Sequence, residues 1–409
     1  MVPMKASLFL VLVMLSGSRI FAQQRASANS AKAQSSPGIG SDVATKADEA
    51  REAGRLEEAI GLYQQALKTQ PKWLEGWWYL ATLLYDRSRY TDAKQAFQQV
   101  IALEPKNGAA LAMFALCEFE LKDFEQSLAD LERARGLGIP NNIELLSVVC
   151  YHDGILLTKY GRFADGHQAL IYLARYQNAS PNVIEAFGLN VLQMPFLPGE
   201  EPQDKLDLVN KVGRAIFCML ARRPTEAKDA FETLVAKYPS TPRLHYFYGV
   251  FLNTEHSDAA IDQFKKELEL SPDDIYSMLQ IASEYINRND YTTALPYAQK
   301  AVELAQGQAA PHVALGRILV ETGKLDEGIG QLELAERFDN SNPKVHFALA
   351  HAYARAKRNI DAKRERETFL ELDKAERERW GKNGPGGPPP DQSEKLPDKP
   401  NDKPEKPQQ

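Results

Sequence analysis

Apolar residues along most of this chain recur at i, i+3, i+4 and i+7, with polar residues between them, as at Leu80, Ala81 and Leu84. That spacing puts the apolar side chains on one stripe of a helix. The stripes come in pairs. Nine times a small residue is followed, twelve or eleven positions later, by a second small residue, and the pair recurs about every 34 residues. The first members are Ala47, Ala81, Ala115, Gly154, Ala215, Gly249, Ala282, Gly316 and Ala350. The second are Ala59, Ala93, Ser127, Gly166, Ala227, Ala260, Ala294, Gly328 and Ala362. Tiny side chains at both points predict two antiparallel helices that approach too closely for anything larger. A turn separates them, marked by Gly54, Gly161 or Gly323, or by Asp123 and Asn289. The second helix then carries a knob, Tyr63, Phe97, Leu131, Leu170, Phe231, Phe264 or Leu332, aimed at the helix before it. Pro71, Pro105, Pro239 and Pro272 close their repeats, because proline cannot continue a helix and biases its predecessor away from helical geometry. Gln306 and Asn340 take that place in two later repeats without loss of phase.

A repeat of this length predicts helix pairs stacked into a solenoid. In the second copy Trp77, Leu80, Ala81, Leu84, Tyr90, Ala93, Phe97, Val100 and Pro105 stand in an order that resembles the tetratricopeptide repeat signature, and the resemblance covers most of the chain. It implies an all-α fold, an α-α solenoid wound as a right-handed superhelix of helix–turn–helix units. The ninth repeat departs from the others, with Arg366 in the knob position and a charged second helix. It reads as a polar cap, with Trp380 over the last apolar gap.

The phase breaks once. Between the fourth and fifth repeats the step is 61 residues, an excess of 27. The predicted organisation is therefore an N-terminal array of about four repeats over 41–181, an irregular insert over 182–207, and a C-terminal array of about five over 208–373. Within the insert, 182–194 suits a helix with Phe187, Val191 and Met194 on one side, followed by an irregular stretch around Pro198. The insert is either a packing patch or a mobile lid.

At the amino end Lys5 precedes an apolar run from Leu8 to Leu15, and Ala22 suits a cleavage site. Residues 1–22 read as an export signal and 23–40 as a flexible leader. An uncleaved anchor is the alternative. The run is short against the roughly 20 apolar residues of a membrane span, and no later segment is apolar enough to cross a bilayer. From 374 the chain passes from the end of the cap helix into a proline-rich, charge-balanced tail, expected to be extended.

Composition adds bounds rather than chemistry. A 409-residue chain with 44% hydrophobic content buries a large core, and a net charge of −6 lacks the basic excess of a nucleic-acid binder. Cys117, Cys150 and Cys218 show no metal or redox spacing and read as buried fillers. His245, His312 and His346 recur at one repeat position, where the second repeat has Trp77. Successive repeats hold them on the order of 10 Å apart, too far to share a metal, so they read as packing residues that hydrogen-bond. No metalloprotease, nucleophile-elbow or phosphate-loop motif is present, and no enzyme, cofactor or metal site is predicted.

The resemblance implies that binding lies on the inner groove of the first helices. In repeats two to four it places Trp78, Tyr85, Leu116, Phe119, Tyr151 and Ile155 there, an apolar and aromatic stripe suited to a peptide. Packing across neighbouring first helices is the competing reading. The same positions farther along are polar: Asn253, Asn287, Arg317, Glu321, His351 and Arg355. Asn253, Asn287, Arg317, His351 and Arg355 form a candidate anion-binding groove, against the alternative of a solvated helical face. Some relatives clamp a chaperone's terminal carboxylate with Lys and Asn; here those positions hold Ala44, Asp48, Trp78, Ala109 and Ala112, so that activity does not carry over. The expected function is a non-enzymatic scaffold of the cell envelope or secreted space that binds a protein or peptide. The alternatives are a glycan-associated component and an accessory to an enzyme encoded elsewhere.

Overall fold

A computed structural model describes residues 39–140, 142–253 and 258–382, with side chains from 42 to 375. The expected export signal, most of the leader, the proline-rich tail beyond 382 and the side chain of Trp380 lie outside the described residues. Among the described residues there are nineteen helices and no strand. Contacts divide them into two compact units, up to Asp274 and from Ile275 onward.

The first unit holds α1 (Ile39–Glu52), α2 (Leu56–Thr69), α3 (Leu74–Asp86), α4 (Tyr90–Leu103), α5 (Gly108–Glu120), α6 (Phe124–Leu137), α7 (Ile143–Lys159), α8 (Phe163–Arg175), α9 (Pro181–Val191), α10 (Leu206–Leu220), α11 (Pro224–Lys237), α12 (Leu244–Leu252) and α13 (Asp258–Leu270). The second holds α14 (Ile275–Asn287), α15 (Tyr291–Leu304), α16 (Ala309–Glu321), α17 (Leu325–Phe338), α18 (Pro343–Arg355) and α19 (Asn359–Lys382). The fold is an all-α solenoid of helix pairs.

The small residues meet where the spacing predicts. A Cβ on Gly316 would stand 2.9 Å from the Gly328 carbonyl oxygen, and one on Gly328 equally close to that of Gly316, so α16 and α17 touch backbone to backbone. In the third pair the serine Ser127 donates its hydroxyl to the Ala115 carbonyl at 2.8 Å, a polar bond across the same approach. All seven knobs are fully buried. Arg366 is exposed, as a cap requires. Helices α2, α4, α11 and α13 stop at residues 69, 103, 237 and 270, two residues before their closing prolines.

In eight repeats the turn after the first helix carries one left-handed residue at a constant offset of seven from the small residue: Gly54, Ser88, Lys122, Gly161, Arg222, Asn289, Gly323 and Lys357. Asp123 is therefore not the turn residue of the third repeat; Lys122 is, at φ 66°. The left-handed conformation follows from where the helix pair must reverse, and non-glycine residues accept its cost of about 1–2 kcal/mol because flanking packing fixes it.

The stretch 182–207 is more regular than an irregular insert. Its excess length becomes the single helix α9 and a loop, and its apolar residues Val183, Ile184, Phe187, Val191 and Leu197 join the same core that runs from Ala47 to Tyr248. Ser180 before Pro181 starts the helix, proline being suited to the first helical position. Met194 lies beyond its end. The backbones of α9 and α10 touch: a Cβ on Gly213 would lie 1.8 Å from the Ile184 carbonyl oxygen, and one on Gly188 2.0 Å from that of Val209. On the other side Asn190 Nδ2 donates to Thr158 Oγ1 at 3.0 Å and to the Phe163 carbonyl at 2.9 Å, tying α9 to α7 and α8. These contacts leave no lid at α9. Gly213→Ala should lower the unfolding free energy, and with it the midpoint of chemical denaturation, by an amount corresponding to about 1–3 kcal/mol, the usual cost of overpacking. An unchanged midpoint would show that α9 is not docked as described.

Candidate functional site

Of the six residues expected to line an apolar groove, four are core. Trp78 is 5% exposed, Tyr85 6%, Leu116 1% and Ile155 3%. Trp78 stands edge-on to Phe97, with ring centres 5.7 Å apart. They are not an exposed stripe, because a first helix packs against its own second helix and the preceding second helix, and α5 and α7 pack against each other as well. Phe119 and Tyr151 remain half-buried, and both lean on the His152 ring, at 4.6 and 5.2 Å between ring centres.

Tyr85 and Tyr151 do meet at one place. They line a cavity of about 120 Å³ with Glu120, Ser147, Val148, His152, Asn178, Ser180, Asn182 and Val183. Four first-unit elements build it: the ends of α3 and α5, the middle of α7, and the junction into α9. At about 30 Å³ of liquid volume per water, it takes about four waters or one medium side chain. Burial pushes the His152 imidazole down to about 4, against the pull of the Val148 carbonyl. The ring is thus neutral at pH 7. Its Nδ1–H donates to that carbonyl at 2.8 Å, which leaves Nε2 as an acceptor. Burial also raises the Glu120 carboxyl and both tyrosine hydroxyls. The lining therefore offers hydroxyls, amides, a neutral imidazole and the Glu120 carboxyl beside two valines. Such a set suits a polar group without negative charge. Glu120, Ser147, His152, Asn178, Ser180 and Asn182 were not expected from the sequence. The signal was the Ser180–Pro181 helix start, which brings Asn178 and Asn182 back onto α7.

The polar positions are divided. Asn253 ends α12 in the first unit, whereas Asn287, Arg317, His351 and Arg355 belong to the second. There the anion expected from outside is supplied by the chain. Glu321 on α16 contacts Arg355 directly, and its other oxygen lies 3.6 Å from His351 Nδ1. Burial, with Arg355 and Arg317 nearby, lowers the His351 pKa, while Glu321 raises it. An open anion groove is thus replaced by an internal ion pair.

The remaining candidates stay apart. His245, His312 and His346 each bond partners within their own repeats or the turn before. Cys117 and Cys218 are buried and Cys150 half-buried, all three unpaired, with burial raising each thiol.

A sequence profile of the tetratricopeptide repeat matches residues 45–93, 79–142, 221–275 and 279–343, together more than half of the chain. The chain belongs to the tetratricopeptide repeat family. Among tetratricopeptide relatives, the TPR repeat-containing protein MJ1428 of Methanocaldococcus jannaschii is 22% identical over 77% of this chain and 53% of its own length. The human protein O-mannosyl-transferase TMTC3 is 23% identical over 59% of this chain but only 27% of its own. The chain thus spans about half, or less, of the length of these relatives. Among solved structures, MamA from Desulfovibrio magneticus RS-1 aligns over 39% of this chain and 92% of that one, at 22% identity and a TM-score of 0.36. YrrB, titled a TPR protein with an unusual peptide-binding site, aligns over 40% and 86%, at 19% identity and a TM-score of 0.34. No helix among the described residues is long and apolar enough to cross a membrane.

The sign of the Glu321 effect is testable. A proton-resonance titration should find His351 below its ordinary 6.5, and lower still in Glu321→Gln, since a carboxylate that favours the imidazolium is gone. A rise in that variant would contradict the pairing.

Proposed function

We propose that this tetratricopeptide protein is a non-enzymatic scaffold that holds an extended peptide segment of a partner protein in the first unit. One uncharged polar side chain of the peptide seats in the cavity between α7 and α9. The observation that carries this reading is the convergence of Tyr151, His152, Asn178 and Asn182 on one small cavity. Amide and hydroxyl side chains offer donors and acceptors matched to peptide groups, and the aromatic walls supply area at little entropic cost.

The test is a peptide-array screen of the full chain, followed by affinities for the best binder. Tyr151→Phe removes only a hydroxyl, and Asn182→Ala only an amide. Each should weaken binding about fivefold, on the order of 1 kcal/mol for one hydrogen bond, with circular dichroism unchanged. Equal affinity in both variants would remove the cavity from the binding site.

We also infer that the scaffold works in the cell envelope or secreted space. Support comes from Lys5, the run Leu8–Leu15 and Ala22. Terminal sequencing of the protein from its native source should begin at Gln23. A chain beginning at Met1 and recovered with the cytosol would overturn the placement.

A further inference from the structure

One ring position in the repeat acts as a hydrogen-bond donor. Trp77 donates Nε1–H to the carbonyl of Pro71, six residues earlier, at 2.9 Å. Histidines in later repeats place Nε2 on the corresponding carbonyls: His245 on Pro239 at 3.0 Å, His312 on Gln306 at 2.9 Å and His346 on Asn340 at 2.9 Å. An indole only donates, and a carbonyl only accepts. Each imidazole therefore keeps a proton on Nε2, and Nδ1 presents a lone pair in the neutral ring or a second N–H in the imidazolium.

What faces Nδ1 differs in what it can do. His245 Nδ1 lies 2.6 Å from Gln263 Oε1, and His312 Nδ1 2.7 Å from Gln331 Oε1. An amide carries both an acceptor oxygen and a donor NH2 on one rotatable group, so a half-turn satisfies the neutral ring. In the last repeat the corresponding residue is Glu365, whose Oε2 lies 2.8 Å from His346 Nδ1, with both residues more than nine-tenths buried. A lone pair and a carboxylate oxygen repel unless a cation stands between them.

A third residue converges there. On the second helices, the residue eight after the small one is Leu67, Ile101, Ala174, Val235, Leu268, Val302 or Leu370 in seven repeats and Arg135 in the third; in the eighth it is Glu336. Ligand atoms of Glu336, His346 and Glu365 all lie within 4.8 Å of one another. Donors around a tetrahedral ion stand about 3.4 Å apart for bonds near 2.1 Å, so a small rotation of Glu336 closes the set. We propose that these three residues bind a divalent transition-metal ion of the zinc type, which staples α17, α18 and α19 together at the last repeat. One imidazole and two carboxylates suit such an ion, and the Nε2–H···O=C bond to Asn340 is the outer contact that orients a ligating histidine. Arg364 pairs with Glu365 Oε1 at 3.0 Å and also with Asp361; it is largely exposed and withdraws to Asp361 when the ion enters. On binding, the ion takes the place of the proton shared by Nδ1 and Oε2, and that proton leaves to solvent.

The test titrates Zn²⁺ alone into the chelator-treated, tag-free full chain by calorimetry, in two buffers of different ionisation enthalpy. One ion per chain and release of about one proton are expected, with a rise in melting temperature. Glu365→Gln recreates the His–Gln pair of two sister repeats, and Glu336→Leu the aliphatic residue of others, so both variants keep a packing that this chain already uses. Each should weaken Zn²⁺ binding about 100-fold or more and abolish the thermal shift. Absence of binding by the unaltered protein would mean that His346 and Glu365 share a proton only. Undiminished binding by both variants would place the ion elsewhere. Either result overturns the proposal.

Discussion

Everything in this molecule depends on how closely two helices of a repeat can come together. Where α16 meets α17, the carbonyl oxygens of Gly316 and Gly328 stand within 3 Å of where the other residue's Cβ would be. Where α5 meets α6, a serine fits because its hydroxyl can bond the opposing carbonyl. With the pair set at that distance, the knob four residues on reaches the preceding helix, and the turn residue must enter the left-handed region. A larger residue at one small position would shift all three features together. This explains why the small positions keep their phase while turn residues and closing residues vary freely.

Such a constraint is legible in sequence because it is local: it asks for a small atom count at two points a fixed distance apart. Contacts that join different repeats are less legible. Trp78, Tyr85, Leu116 and Ile155 fall off the face that meets their own second helix, yet adjoining repeats bury them. Helix α9 has no small-residue partner in phase, and its anchors Gly188 and Asn190 matter only because α10, α7 and α8 come to them. The cavity beside it is assembled from residues about 100 positions apart, so no motif announces it. Among polar residues the limit was different. Arg355 and His351 were visible, but whether Glu321 would occupy them depended on two first helices lying side by side.

The same repeat logic separates binding from structure. A position filled alike in several repeats is explained by packing, as with His245 and His312 on their glutamines. Acidic residues on second helices that converge on one histidine need a local reason. Glu336 of the eighth repeat and Glu365 of the ninth do so around His346. Asn178, Ser180 and Asn182 sit where the array is interrupted. Glu336 and Glu365 place polar side chains where most repeats have apolar ones.

If one close approach holds each repeat and each repeat holds its neighbours, disruption should spread by adjacency. Hydrogen-exchange mass spectrometry of Ala81→Leu against the unaltered chain tests this directly. Loss of protection should centre on α3 and α4, extend to α2 and α5, and leave α17 to α19 unchanged. Protection unchanged at α3 and α4, or lost equally along the whole chain, would contradict the account.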